Sequence, residues 1–221
     1  LLSLSLGSFQ LQYANILEII TNPYQNSIEA SVIWQLRLPR ALMAIVIGGG
    51  MALSGYQMQI VFQNPLADPY LLGISAGASL GANAAILGFL PVAFLGIYGI
   101  SVWAAMGAFL VTILSLALST QAYKESKTLK LILAGIALSS LAGALNSLLI
   151  FYSTEENKLR SIIFWLLGSM DRSTWQLLLL VFIIALVSLV FTLLLSPSIK
   201  ILTQGEQRAN SLGLNTNQLK Y

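Results

Sequence analysis

Arg37 and Arg40 flank Pro39 directly before a long apolar run, and they are the chain's best candidates for recognition chemistry. A guanidinium can meet a carboxylate through a charge-assisted, bidentate contact that fixes orientation as well as adding energy. The same side chains also suit plain interfacial snorkelling, with the stem on apolar surface and the charge in water. Composition excludes most other chemistry. The 221 residues contain no histidine and no cysteine, so there is no thiolate or imidazole metal site, no disulfide frame and no histidine-based catalysis. No catalytic residues, no metal held directly by the chain and no cofactor are expected. The net charge of +3 comes from 11 basic and 8 acidic residues scattered in loops. It gives no sign of a nucleic-acid partner, and its placement matters instead for orientation.

The elements that must position the arginines are membrane helices. Residues 37 to 82 read RLPRALMAIVIGGGMALSGYQMQIVFQNPLADPYLLGISAGASLGA, with Asp68 as the only further charge. Over the whole chain 57% of residues are hydrophobic and 9% charged, against about 25% charged in a soluble domain. The expected fold is all-α, a polytopic transmembrane helical bundle in contact with lipid. Leu1 to Leu6 is the tail of a first span, too short and without the basic lead-in of a cleavable signal peptide. Gly7 to Gln35, with its Asn22-Pro23 turn signal, Glu18 and Glu29, suits an extramembrane loop with a short interfacial helix. Further spans are expected at about 40–62, 71–87, 93–118, 129–151 and 175–195, each holding roughly the 17–25 residues that cross ~30 Å of hydrocarbon. Asp68 would cost roughly 2.5–3.5 kcal/mol at the bilayer centre, which places it in a turn.

Lysines set the orientation. Lys124, Lys127 and Lys130 lie between the fourth and fifth spans, and Lys200, Arg208 and Lys220 follow the sixth, so both regions are expected on the cytoplasmic side. Arg37 and Arg40 then fall on the outer face, against the positive-inside tendency, and carboxylates of a partner would explain the exception. The absent initiator methionine and the polar end at Tyr221 lead us to expect a piece of a longer protein.

Small residues recur at every fourth position: Gly73, Gly77, Gly81 and Ala85; Gly135, Ser139, Gly143 and Ser147; Ala44, Gly48 and Ala52. Such ladders let helix backbones approach closely. They serve helix packing in any polytopic protein, and equally a bundle whose helices shift around a pathway. Asn83 and Asn146 add polar groups inside two spans, where they are expected to face the interior or a cavity. The last span has no glycine from Leu177 to Leu195 and is expected to face lipid. Trp34, Trp103, Trp165 and Trp175 sit near expected helix ends, the usual place for interfacial anchors.

These segments resemble the permease subunits of binding-protein-dependent ABC importers for iron-siderophores, haem and cobalamin, the FecCD family. The matching segments are RLPR (37–40), GxxxxLSGxxxQ (48–59), NPLADPYLLGISAGASLGA (64–82), LAGIALSS (133–140), WLLGS (165–169) and ANSLGLN (209–215). Their order and separation match, and the Asn-Pro-Leu motif is specific. Length is the departure. Family members have about ten spans in two related halves, so the resemblance implies that residues 1–221 are the N-terminal part of one permease domain lacking its C-terminal helices.

The resemblance implies a permease that does no covalent chemistry, moving a metal chelate across the bacterial inner membrane while a separate ATPase supplies the energy. Its partners would be a second permease subunit, identical or paralogous, two ATPase subunits and a periplasmic or lipid-anchored substrate-binding protein. Arg37 and Arg40 match arginines that meet the binding protein's glutamates, and Asn64 and Leu66 match a cytoplasmic gate, with Pro65 and Pro69 stiffening the turn. Residues from about 198 to 221 match the cytoplasmic coupling segment. Within it Gly205, Glu206, Ala209, Ser211, Leu212 and Gly213 would meet the ATPase, Gly213 capping a short helix and Leu212 anchoring it. A generic basic loop is the alternative there, as a mere helix-breaking turn is for Asn64 and Leu66.

An ion-coupled secondary transporter is the main rival. Such carriers commonly place carboxylates or histidines inside their spans, and none is found in the spans read here. A channel or a purely structural membrane subunit would leave the arginine pair and the coupling-like segment without a role. Frequency within the family favours an iron-siderophore as the substrate, and no residue here selects it over haem, cobalamin or an oxyanion.

Overall fold

The computed structural model describes residues 13–21, 27–120, 127–153 and 155–213. The expected first-span tail, the Asn22-Pro23 turn, Lys124 and residues 214–221 lie outside them. Every element among the described residues is helical: α1 (Tyr13–Thr21), α2 (Ile28–Phe62), α3 (Ile74–Leu87), α4 (Gly99–Thr120), α5 (Lys127–Phe151), α6 (Glu156–Leu167), α7 (Trp175–Leu202) and α8 (Glu206–Ser211). Four stretches are long and apolar enough to cross a membrane: Ile28–Phe62, Ala93–Ser119, Leu129–Phe151 and Trp175–Leu202. The fold is therefore all-α and polytopic.

Helix α2 begins well before the arginines, where a loop is expected from sequence. Ser27 caps it, its hydroxyl oxygen accepting from the Ala30 N–H at 3.1 Å, and Glu29 in the first turn suits the positive end of the helix dipole. The charged and polar residues that look like loop sequence are thus the first turns of a 35-residue helix, and Arg37 and Arg40 lie within it. Residues Val32–Arg37 form a π-helical stretch immediately ahead of Pro39. A proline has no N–H to donate and its ring crowds the preceding turn, and a wide turn at that point changes the hydrogen-bond register.

Two further helices differ from expectation. The stretch from Leu71 does not enter one straight span: Asp68 caps a short 3₁₀ turn, Pro69–Leu72, by accepting from the Tyr70 N–H at 2.7 Å. Gly73 then takes a left-handed conformation (φ 78°), which a residue with a side chain adopts only at a cost. Helix α3 proper has 14 residues, about 21 Å at 1.5 Å per residue. The expected outer loop, residues 152–174, contains α6. Lys158 in α6 donates to Leu87 O at 3.3 Å and to Glu155 Oε1 at 2.8 Å, placing a cation on the carbonyl end of α3.

The chain divides into two compact units. One comprises residues 1–53 and 169–196; Ile16, Ile19, Ala30 and Ile33 form its core, with Trp34, Leu38 and Ala41 packed around them. The other comprises residues 54–168 and 197–221, in which α3, α4 and α5 pack on one another. Phe62, Ala67, Leu72 and Leu131 form a core beneath the Asn-Pro-Leu turn. Helix α7 presents Leu179, Ile184, Val187, Phe191 and Leu194 as exposed apolar side chains, and Pro197 lies within its last turns.

Candidate functional site

The arginine end of the first unit is built on an unusual piece of backbone. Leu38 N–H donates to Ile33 O, five residues back. The next bond in that register would run from residue 39 to Trp34 O, but Pro39 has no N–H. Trp175, at the start of α7, supplies the missing donor: its Nε1 donates to Trp34 O at 2.9 Å. The two indoles stack with centroids 6.3 Å apart and planes at 30°, and Trp34 Nε1 donates to Ile19 O at 3.2 Å. Beyond interfacial anchoring, these tryptophans therefore tie α1, α2 and α7 together where the arginines emerge.

Arg40 is held by Asp171. Its Nη2 lies 3.3 Å from Asp171 Oδ1 and also donates to Asp171 O at 3.4 Å. Ser169 fixes the carboxylate in turn, its hydroxyl donating to Oδ2 at 2.8 Å while accepting from the Asp171 N–H at 3.0 Å. The side chains are 39% and 78% exposed, so the pair is worth about 0–1 kcal/mol. Arg40 Nε is buried with no partner, a cost of about 1–3 kcal/mol for an unmade hydrogen bond. The arginine is thus neutralised but incompletely satisfied. Arg37 lies one turn earlier on the same helix.

In the second unit the ladder residues do different jobs. A Cβ on Gly77 would run into the backbone of Gly107 in α4, one on Gly81 into the carbonyl of Trp103, and one on Gly135 into the carbonyl of Leu71. Gly77 and Gly81 thus set the α3–α4 spacing, and Gly135 the approach of α5 to the 3₁₀ turn Pro69–Leu72. Gly73 is a turn residue, and a Cβ there would meet Ser139 Oγ and Val111 at 2.9 Å. Gly143 faces open space, with nothing within 4 Å of such a Cβ. Ser139 hydroxyl donates to Gly135 O at 2.7 Å.

Asn83 is fully buried and its Nδ2 donates to Asn146 Oδ1 at 2.6 Å, joining α3 to α5. Asn83 Oδ1 is buried without a partner. The expected polar pair of the interior is therefore one interhelical contact. Sequence reasoning missed the ladder on α4, where Gly107, Val111, Ser115 and Ser119 follow at intervals of four. Ser115 and Ser119 are fully buried, and Ser115 hydroxyl donates to Leu72 O at 3.1 Å. The same every-fourth-residue count, carried into α4, would have found it.

The Asn-Pro-Leu turn and α8 share one end of this unit. Asn64 Oδ1 accepts from the Leu66 N–H at 2.9 Å, folding the turn on itself and leaving Leu66 86% exposed at its tip. One turn ahead, Ile60 packs with Leu202 and with Ala209 of α8. Ala209 is fully buried there, whereas Leu212 is 65% exposed and Ser211 is exposed beside it. Gly205 (φ 103°) precedes α8 and Gly213 (φ 83°) follows it, Gly213 N–H donating to Asn210 O at 3.0 Å. The side chain of Glu206 and all of Asn215 lie outside the described residues. Among the described residues no group of acidic side chains is arranged to hold a metal ion.

Comparison with known proteins agrees with this architecture. The pattern of the FecCD transport family matches residues 1–221. The chain is 34% identical over 224 residues to the molybdate import system permease protein MolB of Haemophilus influenzae, covering 100% of this chain and 65% of the relative. It is 40% identical over 185 residues to the vitamin B12 import system permease protein BtuC of Klebsiella pneumoniae, covering 82% and 53%. To the hemin transport system permease protein HmuU of Yersinia pestis it is 33% identical over 219 residues, covering 99% and 64%. A solved structure described as an inward-facing conformation of a metal-chelate type ABC transporter superposes with a TM-score of 0.81 at 34% identity, covering 99% of this chain and 65% of that one. The chain thus spans between about half and two thirds of the length of these proteins. A match over all its residues, carried on a multi-pass helical fold, makes this chain a member of the FecCD transport family.

Proposed function

We propose that this chain is the N-terminal part of a permease subunit of a binding-protein-dependent ABC importer in the bacterial inner membrane. The observation that carries this reading is the contact of Ala209 and Leu202 with Ile60, one turn ahead of the Asn64 bend. A push on α8 from a docked ATPase would pass through that packed contact to the turn that bears Leu66. An ion-coupled carrier has no use for such a lever. ATP binding and hydrolysis in the partner would then shift the permease between inward-open and outward-open populations, with no covalent step in this chain.

In this reading the α8 end faces the cytoplasm and two ATPase subunits, while Arg37 and Arg40 meet carboxylates of a periplasmic or lipid-anchored binding protein. A second permease subunit, identical or paralogous, completes the pathway. The cargo is a metal chelate or an oxyanion, the range spanned by relatives named for molybdate, vitamin B12 and hemin. Frequency within the family favours an iron-siderophore. The test is uptake by proteoliposomes carrying the full-length permease with its ATPase and binding protein. ATP-dependent uptake that persists when ion gradients are collapsed supports the importer. Uptake driven by a proton or sodium gradient without ATP would overturn it.

A further inference from the structure

We propose that Asp171 is a displaceable latch on Arg40, exchanged for a carboxylate of the arriving protein when it docks. The proposal rests on the docking role of Arg40 given above and adds a positioning residue to it. Asp171 engages only one terminal nitrogen of the guanidinium, at 3.3 Å to Oδ1 and 3.4 Å to its own main-chain oxygen. A strong charge-assisted bond runs at about 2.7–2.9 Å and is often doubled. The latch is therefore single-point and long, and Arg40 Nε is left buried and unpartnered. An incoming carboxylate that takes an N–H from each of the two terminal nitrogens makes the better contact.

The exchange leaves no stranded charge. Arg40 passes from one carboxylate to another, and the released Asp171 is already 78% exposed and keeps its two hydrogen bonds with Ser169. The seryl contacts hold the carboxylate in place for Arg40 to return to. Asp171 thus presets the arginine between docking events and competes with the partner for it, which shortens the stay of the bound protein. Unlike a distant acidic residue, it acts only through Arg40.

The test is binding of the fluorescently labelled cognate binding protein to the full-length permease-ATPase complex in lipid nanodiscs, in a double-mutant cycle. Asp171→Asn should tighten binding by about two- to fivefold, the scale of an exposed ion pair. Ser169→Ala should act in the same direction to a smaller degree, and Arg40→Gln should weaken binding. In the Arg40→Gln background Asp171→Asn should then have no effect. Weaker or unchanged binding in Asp171→Asn overturns the latch, as does an equal gain in both backgrounds, which would mark a general charge effect. If Arg40→Gln leaves binding unchanged, the docking role itself fails and the latch with it. Retained loss in Arg40→Gln with equal gains from Asp171→Asn removes the latch alone.

Discussion

At Arg40 a single side chain carries three demands: it sits beside a buried proline just after a wide helical turn, it neutralises Asp171, and it keeps one N–H without a partner. Its sequence setting, RLPR before an apolar run, singles the arginine out as a candidate for recognition. Asp171 was not legible, because it lies 131 residues away and only the fold brings it alongside. Trp175 shows the same limit: its position near a helix end reads as ordinary anchoring, whereas its indole N–H answers the carbonyl orphaned by Pro39. Replacing the indole by a phenyl ring, as in Trp175→Phe, removes that donor together with part of the surface stacked on Trp34, and should destabilise the protein by at least about 0.5–1.5 kcal/mol, the net worth of the hydrogen bond alone. Thermal unfolding of the full-length protein in detergent would register this as a lower midpoint, and an unchanged midpoint would count against the contact. In the second unit, Leu66 is exposed at the tip of a turn braced by Asn64. Leu66→Ala should raise substrate leak from sealed proteoliposomes without loss of assembly, and tight vesicles would argue against a gate there.

Among the elements, the four-residue ladders were readable because spacing alone places small residues on one helix face. What spacing does not supply is the partner of each face. Gly77 meets Gly107 and Gly135 meets Leu71, while Gly143, in the same ladder as Gly135, meets nothing within 4 Å. Substitution should separate them: Gly77→Leu forces α3 from α4 and should cost about 1–3 kcal/mol or more as overpacking, whereas Gly143→Ala, which meets no neighbour and adds a better helix former, should not lower the unfolding midpoint. Equal effects at both positions would contradict the packing seen here. Element boundaries were the least readable feature. The polar start of α2 reads as a loop because its charges outweigh its apolar period, and the break at Gly73 is hidden inside an apolar run because a left-handed glycine leaves hydropathy unchanged. Helix α6 escaped for a similar reason, since its amphipathic twelve residues lie in a charged segment too short to span a bilayer. On α8, Ala209 is buried and Ser211 is exposed, so a crosslinker on Ser211→Cys should reach the ATPase while one on Ala209→Cys should not.

At the scale of the whole molecule, the first unit pairs Arg40 with Asp171 and the second packs Ile60, ahead of the Asn-Pro-Leu turn, against Leu202 and Ala209; the proposed importer assigns docking to the first and coupling to the second. The measurement that tests it most directly is ATP hydrolysis by the full-length complex in lipid nanodiscs, with and without its binding protein, in wild type and in Arg37→Glu/Arg40→Glu. The binding protein should stimulate the wild type, charge reversal should abolish this stimulation, and basal hydrolysis should be retained. Full stimulation of the charge-reversed complex at low salt, where surface charges act most strongly, would contradict it.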